Sequence, residues 1–267
     1  MNIYVATHRK YKFPKDNGYI PIHVGKKNSP INLPYLNDNT NDSISVLNES
    51  FCELTGLYWL WKNTDSPIVG LVHYRRYFSY KNKIKNVYFH PIASSSDFHE
   101  FEEGYDIILP TKMAFGKDLT VQEHYALIHN KKDMDIVKEI IHQRHNDYLS
   151  AFNHVMNEKE MFSCNMFISK NSVIREYSDW LFDILFEAKE KIDTQGYDKY
   201  QRRVFGFISE RLFNVWIEKN KNRLRVAYRD IVEINQEIKI SKIRKYYKEK
   251  IRSIIKNTSF TKSKWIK

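Results

Sequence analysis

Five apolar residues in a row, Ile68-Val69-Gly70-Leu71-Val72, follow Pro67 and run directly into His73-Tyr74-Arg75-Arg76. A short apolar run bounded by a breaker reads as a buried strand, which needs cover from neighbouring elements. The chain supplies them. Ile3-Tyr4-Val5-Ala6-Thr7 is a β-rich run ending at His8-Arg9-Lys10, and Tyr105-Asp106-Ile107-Ile108-Leu109 is another, stopped by Pro110. Shorter strands are expected over Tyr19 to Val24 and over Cys164 to Ile168. Helical spacing links Phe51, Leu54, Leu57, Tyr58 and Trp61 behind a cap at Ser45. Further helices are expected from Thr120, over Met134 to Arg144, over Ser172 to Lys191, and from Tyr200 to Lys219. Strands alternating with helices argue for an α/β fold around one sheet. Tyr11 to Ser43, rich in Pro, Gly, Asn and Asp, reads as a long loop region of the kind that often carries function.

The chain has 267 residues, enough for one large α/β domain with a real core. No stretch reaches the roughly 20 apolar residues of a membrane span, and Met1 to Tyr11 is too short and polar for a signal peptide. The expectation is a cytoplasmic protein, with Cys52 and Cys164 as free thiols. No Cys/His spacing points to zinc. The formal net charge is +11, but residues 236–267 hold eleven Lys or Arg against two acids, so +9 sits there and the preceding 235 residues carry about +2. A near-neutral body argues against a nucleic-acid binder. The division is therefore a catalytic domain over 1–235 and a basic tail over 236–267. In that tail Ile240, Ile243, Tyr247, Ile251 and Ile254 fall on one helical face among Lys and Arg. This predicts a C-terminal basic amphipathic helix suited to an anionic membrane surface, or alternatively one packed on the domain.

The strongest chemical signal is His73-Tyr74-Arg75-Arg76. Ligands of open α/β sheets bind beyond the carboxyl ends of strands, and guanidinium groups bind phosphate oxygens bidentately. His8 and Lys10 follow the first strand in the same manner. All of these residues fit a solvated strand end equally well. Asp38-Asn39, in a polar loop before a helix, suits ribose or sugar hydroxyls, or a simple Asx turn. For a carboxylate that takes a proton from an acceptor hydroxyl, the first candidate is Glu210, beside Arg211. Glu53 and Asp38 are the alternates, and an ion pair is the competing reading for Glu210. Walker, G-x-G-x-x-G, G-x-S-x-G and H-E-x-x-H motifs are absent. Asp133-Met134-Asp135 opens an expected helix, where acids favour the macrodipole.

These segments together resemble a family of capsular and exopolysaccharide glycosyltransferases known as domain of unknown function 4422. The resemblance runs through Ala6 to Tyr11, Tyr19 to Gly25, Asp38-Asn39-Thr40, Cys52 to Trp59, Gly70 to Phe78, Tyr105 to Pro110, Asn165 to Ile168, Trp180 to Leu185 and Arg203 to Leu212. It implies a GT-A-like nucleotide-sugar fold with a mostly parallel central sheet. It also implies a transferase in capsule, exopolysaccharide or O-antigen synthesis, with a UDP-sugar as donor and a lipid-linked saccharide as acceptor; some relatives are thought to transfer galactofuranose. The donor-binding set expected on the combined reading is His8, Lys10, Asn39, His73, Tyr74, Arg75, Arg76, Asn165 and Arg211. Arginines stand where an Asp-x-Asp metal motif would follow the strand, so charge on the leaving diphosphate is expected to meet side-chain cations rather than a metal. The other function class left open is a non-catalytic subunit that binds carbohydrate or nucleotide-sugar.

Overall fold

The computed structural model describes residues 1–80, 92–116 and 118–234. The tail helix expected beyond 235 lies outside the described residues. Met1–Val232 forms one compact unit.

The strands in chain order are β1 (Asn2–Thr7), β2 (Tyr19–His23), β3 (Leu36–Asn37), β4 (Ile68–His73), β5 (Arg76–Phe78) and β6 (Ile107–Pro110). They continue with β7 (Met113–Ala114), β8 (Glu160–Met161), β9 (Phe167–Lys170), β10 (Val226–Arg229) and β11 (Ile231–Glu233). The helices are α1 (Asn48–Phe51), α2 (Leu54–Asn63), α3 (Val121–Ile128), α4 (Lys131–Arg144), α5 (Leu149–Asn157), α6 (Asn171–Lys191) and α7 (Val204–Asn220). The central sheet has the order β10-β6-β9-β4-β1-β2-β3, with β5 joined to β4. β1 pairs in parallel with both β2 and β4, β2 with β3, and β6 with β10. β9 runs antiparallel between β4 and β6, and β5 antiparallel to β4. The expected largely parallel α/β sheet is therefore what forms.

The centre of the sheet is dry: Ile3, Val5, Val69, Leu71, Val72, Ile107, Ile108, Leu109 and Ile168 are fully buried. Gly70 packs closely there: a Cβ on it would come within 3.1 Å of the Ile168 side chain and 3.2 Å of the Ile3 side chain, so these neighbours would have to give by a few tenths of an ångström. Helix α2 adds Leu54, Leu57 and Leu60, all buried, and truncating one of these to alanine costs about 2–5 kcal/mol.

Among the described residues, two α-helices start on a side-chain cap. Thr120 caps α3, accepting from the Glu123 N–H while the Glu123 carboxylate reaches back to the Thr120 N–H, a reciprocal capping box. Asn130 caps α4 in a similar way, through Lys132. Ser45 does not cap a helix; its hydroxyl donates to Asp38 and the chain makes a 3-10 turn before α1. The helix then breaks at Cys52, whose φ is +52°, and restarts as α2. That break places Glu53 at a helix start instead of on a helical face. Likewise β9 begins at Phe167 and not at Cys164, because Cys164 (φ +78°) and Asn165 (φ +48°) make a left-handed turn first.

Candidate active site

Parallel pairing brings the carboxyl ends of three strands to one edge: Thr7 registers with His23, and Ala6 with His73. Backbone bonds carry the pairing past the strand ends, from Val24 N–H to Thr7 O and from Tyr74 N–H to Ala6 O. The Thr7 hydroxyl donates to Arg9 O at 2.8 Å and so turns the chain back at once. These residues form the first wall of a cleft of about 720 Å³. At its centre is the buried ring of Tyr74, with His8 edge-on at 5.3 Å and the guanidinium carbons of Arg9 and Arg75 at 5.3 and 5.1 Å from its centroid. Such contacts hold a cation without neutralising it. The Arg9 Nε–H donates to His8 Nε2 at 3.3 Å, so that nitrogen is unprotonated. Burial lowers the His8 pKa, and Arg9 and Arg75 lower it further. Burial likewise lowers the His73 pKa, against the pull of Glu53. The His73 Nε2 is buried with no hydrogen-bond partner among the described residues.

The second wall is the break between α1 and α2, where Cys52 and Glu53 face the cleft. The Glu53 Oε1 accepts from Asn165 Nδ2 at 2.7 Å. The same amide donates to the Ser209 hydroxyl at 2.8 Å, on α7. Asn165 is therefore a clamp between the cleft carboxylate and α7. Its left-handed backbone, like that of Cys164, costs on the order of 1–3 kcal/mol and needs surrounding contacts to persist. One such contact is the Cys164 N–H, which donates to Glu210 Oε1 at 2.9 Å.

The third wall carries Lys199, Tyr200 and Arg203. Asp198 accepts from the N–H groups of Tyr200 and Gln201, both at 2.8 Å. Arg202 pairs with Glu49 at 3.2 Å, and the Arg203 Nε–H donates to the Cys52 sulfur at 3.3 Å. Burial pushes the Cys52 thiol up to about 12, so this partner is neutral. Arg203 is also the N-cap of α7, whose first turn has no acid. A cation there opposes the macrodipole, and both the helix start and the guanidinium favour an incoming anion.

Residues 2–221 match the family described as Domain of unknown function (DUF4422). The chain belongs to that family. No curated protein matches it. Among solved structures, the apo form of the WbbM bifunctional glycosyltransferase is similar, with a TM-score of 0.80 and 28% identity over 88% of this chain. The match spans 45% of that protein's chain. The DUF4422 chain thus has a GT-A-like glycosyltransferase fold.

Within this DUF4422 chain, His8, His73, Tyr74, Arg75 and Arg76 line the cleft as expected, and Asn165 reaches it through Glu53. Lys10 and Asn39 are exposed at the same sheet edge but are not among the lining residues. Arg211 does not reach the cleft. It is 2% exposed, paired with Glu210 at 3.0 Å, near His124 Nδ1 at 3.3 Å and over the Tyr125 ring. Of the three carboxylates, Glu53 is the one on the cleft wall. Glu210 is committed to Arg211 and to the Cys164 N–H, and burial raises its pKa. Asp38 is fully buried and spends both oxygens on the N–H groups of Gly25 and Lys26 and the hydroxyls of Ser45 and Thr55. That makes it a loop-fastening group rather than a base. Gly25 donates from φ +70°, where a side chain would also strike Asn48. Sequence reasoning missed Cys52, Lys199, Tyr200 and Arg203. The signal for Arg203 was the Arg202-Arg203 pair at a helix start, where acids are the rule.

Divalent-metal binding needs converging oxygen or nitrogen donors. Among the described residues no three His, Cys, Asp or Glu converge, and the segment after β4 offers arginines. Among the described residues no helix is long and apolar enough to cross a membrane.

Proposed function

We propose that this chain is a glycosyltransferase that uses a nucleoside-diphosphate sugar, with the diphosphate seated between the first and third walls. The observation that carries the reading is the set of cations around the cleft whose partners are neutral: Arg9 on an imidazole, Arg75 on a tyrosine ring, Arg203 on a protonated thiol. Preorganised cations stabilise charge as it develops on a leaving group. Glu53 is the base of this reading. Asn165 fixes one oxygen, and the carboxylate takes the proton of an acceptor hydroxyl as the hydroxyl oxygen bonds the sugar carbon and the bond to the diphosphate breaks. A single displacement of this kind inverts the sugar carbon. The similarity to a glycosyltransferase fold supports the same assignment. The finer reading is a UDP-sugar donor, galactofuranose being one candidate, and a lipid-linked acceptor in capsule, exopolysaccharide or O-antigen assembly. The tail at 236–267 would dock on the anionic inner face of the membrane.

A donor panel tests this, with nucleoside diphosphate release measured with and without lipid-linked acceptor, and in EDTA. Release that needs acceptor and survives EDTA is expected. Donor binding without release would instead mean a binding subunit, and activity restored only by Mn²⁺ or Mg²⁺ would remove the cation mechanism. Glu53→Gln is expected to cut turnover roughly 10²- to 10⁴-fold with donor affinity retained, whereas Glu210→Gln should chiefly lower thermal stability. The reverse pattern would move the base to Glu210. Vesicle sedimentation tests the tail: full-length protein should bind anionic liposomes and release at high salt, and a chain ending at residue 235 should stay folded and unbound.

A further inference from the structure

Tyr200 lines the cleft with 48% of its surface exposed. The ring is not loose. It lies 5.8 Å from the His129 ring at an interplanar angle of 17° and 5.0 Å from the Phe207 ring. His129 in turn stacks on Phe207 at 4.0 Å. Gln201, the next residue, locks the stack from the side: its Oε1 is 3.2 Å from His129 Nδ1 and its Nε2 donates to Ile128 O at 2.7 Å. Burial lowers the His129 pKa to about 4, so the layer beneath Tyr200 stays uncharged at neutral pH. The result is a braced aromatic plane with one open face. Such a plane suits a ligand with an apolar face and polar edges, which describes a pyranose or furanose ring, and covering it costs little conformational entropy because few rotamers are lost.

We propose that Tyr200 is the platform for the acceptor saccharide, which stacks a sugar ring on it with a hydroxyl directed toward Glu53. This rests on the glycosyltransferase reading given above. Two observations favour an acceptor sugar over the nucleobase of the donor. First, the segment bearing Tyr200 is fastened beside the candidate base: Arg203 bonds Cys52, the residue before Glu53, and Arg202 bonds Glu49. An acceptor must meet that base, whereas a nucleobase need not. Second, another aromatic surface is available to a nucleobase on the β1 side. There Tyr74, Tyr11, Phe13 and Tyr35 contact one another in sequence at 4.9, 6.4 and 5.2 Å, next to His8.

The test is saturation-transfer NMR on the full chain, with UDP and a panel of octyl β-galactoside, octyl β-glucoside and octyl α-mannoside as probes. The wild type should saturate the ring protons of at least one glycoside. Tyr200→Ala should weaken that binding roughly two- to tenfold, the range of one aromatic contact, with the UDP signal unchanged, and Tyr200→Trp should restore it. The exposed position lets the alanine variant fold, and the retained UDP signal confirms that it has. Loss of UDP together with the glycoside would make Tyr200 a nucleobase platform and overturn the proposal. So would glycoside binding that survives Tyr200→Ala, or no glycoside binding in the wild type. If the glycoside binds through Tyr200 and UDP binds independently of it, yet no donor is turned over, the catalytic reading fails and the saccharide platform stands.

Discussion

Arg229 on β10 and Arg75 after β4 belong to the same sheet and are treated in opposite ways. Arg229 is buried and gives two parallel hydrogen bonds, at 2.6 and 2.7 Å, to the equally buried Glu100, with a third at 2.6 Å to Asp97 O. Arg75 is exposed at the cleft, and its contact is the face of Tyr74. Arg211 repeats the first pattern with Glu210, and Arg9 and Arg203 repeat the second with an imidazole and a thiol. In the interior a guanidinium without a carboxylate would forfeit its solvation. At the cleft Arg9, Arg75 and Arg203 rest on uncharged groups, with Glu53 on the second wall, and the imidazole of His8 has its pKa lowered by burial first and by Arg9 and Arg75 next. A charge left uncompensated in a shaped cleft is a place prepared for an anion that comes from outside.

The comparison breaks first at Arg229. Arg229→Met removes both guanidinium hydrogen bonds from the buried Glu100, and the expected loss of unfolding free energy is about 3–5 kcal/mol, read by denaturant titration. A loss below about 0.5 kcal/mol, ordinary for a surface change, would mean that the two classes of arginine do not differ.

Acid gives the next largest effect. His129, 9% exposed, has its pKa lowered from 6.5 to about 4 by burial, with Arg211 and Arg203 adding to it. The unfolded chain takes up the proton near 6.5 and the folded chain resists until about 4. Stability is therefore complete above pH 6.5, declines as the pH falls towards 4, and levels off below. This one group contributes at most about 3 kcal/mol. His129→Phe should flatten part of that decline. His8, His23, His73 and His124 shift in the same direction, so some slope remains. An unchanged slope in His129→Phe would show that the imidazole is not held neutral.

Much of this was legible in the sequence where a local pattern ended in a chemical signal. The apolar run before His73 and the β-rich run before His8 placed both strand ends on one edge, because parallel strands in an α/β sheet share their carboxyl ends. The long α6 followed from its periodicity almost to the residue. The failures have one physical cause, which is that a side chain's partners come from elsewhere in the chain. Asp38 looks like any loop acid until Gly25, Lys26, Ser45 and Thr55 converge on it. Glu210 and Glu53 are indistinguishable in sequence, and only the left-handed turn at Cys164-Asn165 sorts them, by giving its backbone N–H to one and its side-chain amide to the other. The antiparallel direction of β9 carries no local mark. Tyr200 was expected to open the helix that begins only at Val204, and its role depends on a ring stack formed with His129 and Phe207.

The smallest effect on the fold should accompany the clearest effect on the site. Arg75→Ala and Arg203→Ala remove exposed groups whose partners are neutral, so each should shift unfolding by no more than about 0.5 kcal/mol. Calorimetric titration with UDP on the same variants is the direct measurement. Each lost charge-assisted contact is worth roughly 1.5–3 kcal/mol, so affinity should fall about ten- to a hundredfold while the melting curve stays in place. Wild-type affinity in both variants would contradict the account, because the cations of the cleft would then have no anion to meet.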